Sequence, residues 1–337
     1  MPIRILVLLV CLLAATAAYG QQETDKPRRG EGISAFLERN GRPSRTYYKE
    51  FVRLNRQRLG RKRQLLLGVS YVLPPLSASS PRQEAGNKPK HTSATLHEPL
   101  FGPELADVKV TGNRLKGACF YVVSGHGGPD PGAIGRAGEH RLHEDEYAYD
   151  VALRLARNLM QEGAEVRIII QDSKDGIRDD RYLNNSKRET CMGTPIPLGQ
   201  VERLQQRCNK INELYRKDRQ RYKYCRSIFL HVDSRSRSQR IDVFFYHANG
   251  SKNGRRLAQT MKRTFEQKYD KHQPNRGFEG TVGPRNLYVL NHSTPVAVYV
   301  ELGNLQNTAD QRRLVLSSNR QALAKWLTEG FIADYMH

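Results

Sequence analysis

Two histidines and two glutamates stand where a chain could do chemistry. His126 lies in SGHGGPDPGAIG (residues 124–135), a stretch crowded with turn residues directly after the apolar run CFYVV. His231 sits near the end of SIFLHV (227–232), Glu301 follows VAVYV (296–300), and Glu144 opens a helical pattern in RLHEDEYAYDVALRLA. A turn alone does not need an imidazole. A metal site does, if other donors converge on it. Two imidazoles and one carboxylate bind zinc tetrahedrally and leave one position for water. Zinc makes that water acidic and polarises a carbonyl. A second carboxylate, near the metal but not on it, can take the water's proton and pass it to a leaving amine. Neutral imidazole and ionised carboxylate are the forms required, and both are ordinary near pH 7.

Each of these residues also has a plain structural reading. A histidine near a strand end is commonly a core residue. A helix N-terminus favours acids such as Glu144 through its dipole, and Glu301 could cap a turn. What sets them apart is a shared position. From residue 99 onward, strand-like runs (119–123, 165–170, 227–232, 242–246, 296–302) alternate with helical stretches (144–162, 199–218, GRRLAQTMKRTFEQKY and NRQALAKWLTEGFIADYM). That order predicts an α/β domain with a largely parallel sheet and helices on both faces. Such sheets carry their sites at the carboxyl ends of strands, where His126, His231 and Glu301 fall.

Residues 118–337 resemble the zinc-dependent N-acetylmuramoyl-L-alanine amidases of the amidase-3 type. The resemblance is carried by VVSGHGGPDPGAIG, HEDEYAYDVALRLARNLMQEGAEVRIIIQD, SIFLHVDS and PVAVYVELGNLQN. It implies hydrolysis of the amide between the lactyl group of N-acetylmuramic acid and L-alanine in peptidoglycan. It also puts His126, Glu144 and His231 on the ligand positions for one Zn2+ per chain, and Glu301 on that of the catalytic glutamate. The family usually reads HAN after its third ligand, whereas this chain reads His231-Val232-Asp233. HAN does occur at 247–249, but DVFFYHANG matches the family's next strand and turn, which leaves His247 out. His143 and Glu146 lie close to Glu144, although a residue one step away points elsewhere on a helix. His140, His272 and His292 have no matching role. Arg285 and Asn286 precede the strand-like LYVL (287–290), where such amidases line the substrate groove, and are candidate substrate-binding residues. Residues 173–193 look longer than the usual link. They are either a loop gating the groove, as in relatives with an inhibitory helix, or a plain insertion. Gating would imply an activator protein as partner. The basic run from Arg203 to Arg226 reads mostly as a solvated helix face, or as a surface that meets anionic cell-wall material.

The remaining sequence bounds where this happens. A net charge of +21 calls for an anionic partner: nucleic acid, anionic lipid or acidic cell-wall polymer. The start chooses among them. Arg4, an apolar stretch from Ile5 to Ala15 and small residues up to Gly20 form a secretory leader, residues 1–20. The apolar stretch is short for a transmembrane helix, so no stable membrane span is expected after cleavage. An exported protein meets peptidoglycan in the periplasm or envelope rather than nucleic acid. Cys191, Cys208 and Cys225 could be joined by disulfides there, with Cys119 a buried thiol in its strand.

Residues 21–30 are polar and read as disordered. Within 31–75, GISAFLERNG and YYKEFVRLNRQRLG show helical spacing, and RQLLLGVSYVLP reads as a closing strand with a turn at Gly68. This order resembles a LysM module, a glycan-binding fold of two helices on a two-stranded sheet, although the usual leading strand is not visible. The other reading is a basic helical hairpin that coats a polyanion. Residues 76–98 have linker composition, and the catalytic domain spans 99–337. Beside the amidase stand a non-catalytic cell-wall-binding regulator on the same fold, a charge-driven polyanion binder, and a zinc hydrolase of another amide. A regulator predicts a broken constellation, and all four positions are filled.

Overall fold

The structure, a computed structural model, describes residues 23–28, 31–42, 44–60, 64–75 and 94–337. The leader expected over 1–20 and most of the linker expected over 76–98 lie outside them. The chain divides into two compact units, residues 1–89 and 90–337. Among the described residues no helix is long and apolar enough to cross a membrane.

The first unit runs β1 (Thr24–Asp25), α1 (Ile33–Arg39), α2 (Ser44–Leu54) and β2 (Tyr71–Val72). β1 pairs antiparallel with β2. Composition alone read Thr24 and Asp25 as disordered, but the partner that orders them lies far along the chain. Phe36, Phe51 and Tyr71 are buried together, with ring centroids 5.5 to 6.1 Å apart. Buried Asn55 fastens the sheet to the helices. Its Nδ2 donates to the Val72 carbonyl and its Oδ1 accepts from the Val72 N–H, both at 2.8 Å.

The second unit opens with β3 (Thr95–His97), β4 (Asp107–Lys109), β5 (Ala118–Ser124), β6 (Ile134–Ala137) and β7 (His140–His143). Helix α3 (Glu144–Gln161), β8 (Glu165–Ile168), β9 (Ile170–Gln171), β10 (Thr190–Cys191), β11 (Thr194–Pro195) and α4 (Gln200–Asp218) follow. Then come β12 (Tyr224–Asp233), β13 (Phe244–His247), α5 (Lys252–His272), β14 (Val282–Pro284), α6 (Tyr288–His292), β15 (Val296–Asn304), α7 (Thr308–Val315) and α8 (Ser317–Tyr335). The central sheet has the order β14-β13-β15-β12-β5-β8. Strands β8, β5, β12 and β15 run parallel, and β13 is antiparallel to β15.

Both faces of the sheet are covered. Successive side chains of a strand point to opposite faces, so Phe120 and Val122 pack with Leu155, Met261 and Leu327 of α3, α5 and α8. Cys119, Tyr121 and Val123 pack with Ile211 of α4 and Leu290 of α6. This is the expected α/β architecture. From β5 the chain crosses through α3 to β8 on one side and later reaches β12 on the other. The carboxyl ends of β5 and β12 therefore flank a switch point, the place where open α/β sheets form their crevice.

Four local expectations differ from the structure. The run 165–170 breaks after Ile168, because β9 leaves to pair with β10. LYVL is not a strand. Tyr288 to His292 form helix α6, with Val289 and Leu290 buried and the Tyr288 ring stacked 3.9 Å from His292. A short apolar run is ambiguous by periodicity, and here β14 takes the sheet edge instead. Thr95–His97, within the expected linker, pairs with β4. Cys119, Cys191, Cys208 and Cys225, the cysteines among the described residues, are free and buried, so no disulfide joins Cys191, Cys208 and Cys225. They serve as small apolar side chains in the layer under α4. Hydrogen bonds fasten the 173–193 loop in their place. Arg154 and Arg320 donate to the Arg178 carbonyl at 2.7 and 2.6 Å, and Arg178 reaches Glu146 at 2.8 Å.

Candidate metal centre

β5 ends at Ser124, and the Gly125 N–H stays bonded to the Leu230 carbonyl at 2.7 Å. His126 then turns out of the sheet with φ of 59°. Glu144 is the first residue of α3, and His231 lies near the end of β12. Ligand atoms of His126, Glu144 and His231 all lie within 4.8 Å of one another. His126 Nε2 is 3.2 Å from Glu144 Oε2, and His231 Nδ1 is 2.9 Å from Glu144 Oε1. Donors on a tetrahedral ion with bonds of about 2.0 Å sit roughly 3.3 Å apart. The donor types are ones zinc takes, and the atoms lie close enough together to hold an ion.

Two glycines make room for it. A Cβ on Gly125 would lie 2.3 Å from His231 Cε1, and one on Gly132 would lie 2.7 Å from Glu144 Oε2. Gly132 also has φ of +66°, a conformation that side chains resist. This explains the composition of the 124–135 turn.

The charges are coupled. Burial works against ionisation of Glu144, but hydrogen bonds from His126 and His231 outweigh it and hold its carboxyl well below the usual range. Its oxygens also accept the Ala133 N–H at 2.8 Å and the Val232 N–H at 3.0 Å. Burial likewise opposes charge on His126, yet Asp130 and Glu144 raise it to about 10. His231 is pushed down by burial and so favours the neutral, metal-binding form.

Glu301 stands directly beside His231 in the β12–β15 register. It is 7% exposed, and its Oε2 is buried with no hydrogen-bond partner among the described residues. Burial first, then the charges of Glu144 and Asp233, push its carboxyl well above the ordinary value. Such a group readily holds a proton. Two residues earlier on the same strand, Tyr299 stacks on the His231 ring at 4.4 Å and 16°. Arg285 lies over the Tyr246 ring at 4.9 Å, and its charge reaches Glu301. Asn286 is exposed and its Oδ1 accepts from Asn291 at 2.5 Å.

The other candidates fall elsewhere. His247 ends β13 and bonds the Ala248 carbonyl at 2.9 Å. His143 is the residue before α3, and Glu146 joins Asp145 and Glu189 in a separate acidic group. His140, His272 and His292 are exposed and stack on Tyr182, Trp326 and Tyr288. Sequence reasoning missed Asp130, whose Oδ2 meets His126 Nδ1 at 2.9 Å. Its only signal is its place four residues after His126 in the same turn.

This α/β architecture, with a two-histidine, one-glutamate donor set at its switch point, coincides with a family match. A family model described as N-acetylmuramoyl-L-alanine amidase (Amidase_3) matches residues 121–333. The match covers more than half of the chain, and the chain belongs to this family. A relative named "Probable cell wall amidase LytH", from Staphylococcus aureus, is 25% identical over 230 residues, which is 67% of this chain and 61% of that relative. The chain therefore spans less than two thirds of that relative's length. Among solved structures, the amidase AmiC2 of Nostoc punctiforme aligns with a TM-score of 0.45 and 19% identity, covering 67% of this chain and 98% of that one. The Ami1 amidase of Mycobacterium smegmatis gives a TM-score of 0.47 and 15% identity, covering 67% and 99%. The CwlD amidase of Clostridioides difficile, in complex with the GerS lipoprotein, gives 0.46 and 16%, covering 65% and 97%.

Proposed function

We propose that the chain is an exported, zinc-dependent N-acetylmuramoyl-L-alanine amidase that cuts the stem peptide from the glycan strand of peptidoglycan. The observation that carries this reading is the convergence of His126, Glu144 and His231 beside a buried, partnerless Glu301. His126, Glu144 and His231 would hold the zinc. When bound, zinc supplies Lewis acidity that polarises the lactyl carbonyl and makes water a nucleophile near neutral pH. In its ionised form Glu301 Oε2 would take the proton of the attacking water and then, as the carboxylic acid, deliver it to the departing alanine nitrogen. Asp130 holds the His126 ring through Nδ1, and Tyr299 holds the His231 ring by stacking. Arg285 carries positive charge toward Glu301 and is a candidate substrate contact, with Asn286 next to it at the rim.

The first unit, which we read as a LysM-like module, would bind glycan and raise the local concentration of substrate. Export into the periplasm or envelope rests on the leader read over residues 1–20, and the net charge of +21 suits an acidic wall. An activator protein is a candidate partner, acting near the loop over 173–193. The test is the release of new L-alanine amino termini from purified peptidoglycan by the full chain, with and without chelator. Release that stops on chelation and returns with zinc supports the proposal. Binding of zinc and peptidoglycan with no release favours a non-catalytic regulator.

A further inference from the structure

Helix α4 sends two arginines, one turn apart, into the turn that bears His126. Positions i and i+4 share a helix face. Arg203 Nη2 donates to Asp130 Oδ2 at 2.9 Å, the same oxygen that meets His126 Nδ1 at 2.9 Å. Arg207 Nη2 donates to the backbone carbonyl of His126 itself. The sequence read this basic run mostly as a solvated face, yet Arg207 is 4% exposed and its Nε is buried without a partner among the described residues. Among the described residues its guanidinium hydrogen-bonds a neutral carbonyl, not a carboxylate. A buried guanidinium so placed is costly, and an apolar side chain of similar size would pack there at lower cost. Burial accordingly pulls its pKa down to about 10.

The residue being held is an unusual one. His126 has φ of 59°, a left-handed conformation that a non-glycine residue keeps only when its surroundings impose it. A third contact completes the grip, since Glu189 Oε2 accepts the Gly128 N–H at 2.8 Å. Ring, carbonyl and following backbone are thus gripped separately by Asp130 with Arg203, by Arg207 and by Glu189.

We infer that Arg207 and Arg203 are positioning residues for the metal centre, holding His126 in its left-handed conformation with its ring aimed at Glu144. Neither touches the reacting atoms. The inference rests on the reading of His126 as a metal ligand. Partners of ligands at this remove typically change metal affinity about 10- to 100-fold.

The test measures zinc affinity of the full chain by competition with a chromophoric chelator, together with the melting temperature of the metal-free protein. The variants are Arg207→Met, Arg207→Lys and Arg203→Ala. Arg207→Met is expected to weaken zinc binding by about 10- to 100-fold without lowering the metal-free melting temperature, because the buried charge is gone. At saturating zinc its kcat falls while KM stays within about two-fold of wild type. Arg207→Lys restores part of the affinity, and Arg203→Ala gives a smaller loss than Arg207→Met. Wild-type zinc affinity in Arg207→Met, with only the melting temperature lowered, overturns the inference. Should Arg207→Met fail to fold, Arg203→Ala decides, and unchanged affinity there also overturns it. A wild-type chain that binds no zinc overturns the reading of the site and the inference with it. A wild-type chain that binds zinc, with variants that bind it equally well, overturns the inference alone.

Discussion

Helix α3 begins with three consecutive acids, and they end in two different groups. Glu144 faces two imidazoles, whereas Asp145 and Glu146 face Glu189. Both groups bring donor atoms close enough to hold an ion. Their chemistry differs. The second group has settled its charge already. Glu146 is paired with Arg178 at 2.8 Å and accepts the Ser186 N–H, and Glu189 accepts the Gly128 N–H at 2.8 Å. Asp145, pushed up to about 8 by burial and by its two acidic neighbours, keeps a proton at neutrality. The first group has imidazole donors, two glycines cleared around it, and a spare carboxyl in Glu301. Proximity of acids alone does not make a metal site. Donors of mixed type with room around them do.

Exchanging the two groups' fates is the largest test. Glu144→Gln is expected to remove stoichiometric zinc, read by metal analysis of the purified chain, and to drop peptidoglycan hydrolysis to background. Asp145→Asn, one residue away, should leave zinc content unchanged. Next in size, Glu301→Gln should keep zinc and lose about 10²- to 10⁴-fold in kcat, which would separate the proposed ligands from the proposed base. A subtler contrast concerns pH in the metal-free protein. The folded-state pKa of Asp145, about 8, lies above the ordinary aspartate value of 3.8. Between those values the unfolded chain has lost a proton that the folded chain keeps. Stability is therefore lost as pH rises through that window, at up to about 1.4 kcal/mol per pH unit. Asp145→Asn should flatten the loss, seen by denaturant melts from pH 4 to 8. The smallest effect is Asn185→Ala. Its amide reaches Asp145 at only 3.3 Å, and the change should cost no more than about 1 kcal/mol.

The same contrast marks how far the sequence could be read. Strands β5, β12 and β15 are legible because a strand buried on both faces is a continuous apolar run. His126, His231 and Glu301 are legible because they sit at or just beyond the ends of those runs. The family resemblance singled out Glu144 over Glu146, and the helix shows why: Glu144 meets the imidazoles, whereas Glu146 turns to Asp145 and Glu189. Asp130, Arg203 and Arg207 were hidden for a different reason. Their partners are a turn and a backbone carbonyl far away along the chain, and an arginine on a basic helix looks solvated until its burial is known. Thr24 and Asp25 were lost similarly, because a two-residue strand has no periodicity of its own.

The most direct measurement is anomalous diffraction at the zinc edge from crystals of the full chain grown with one equivalent of zinc. The account predicts a single peak bonded to His126, Glu144 and His231, with none beside Asp145, Glu146 and Glu189. A peak in the acidic group, or none among the two histidines and Glu144, would contradict it.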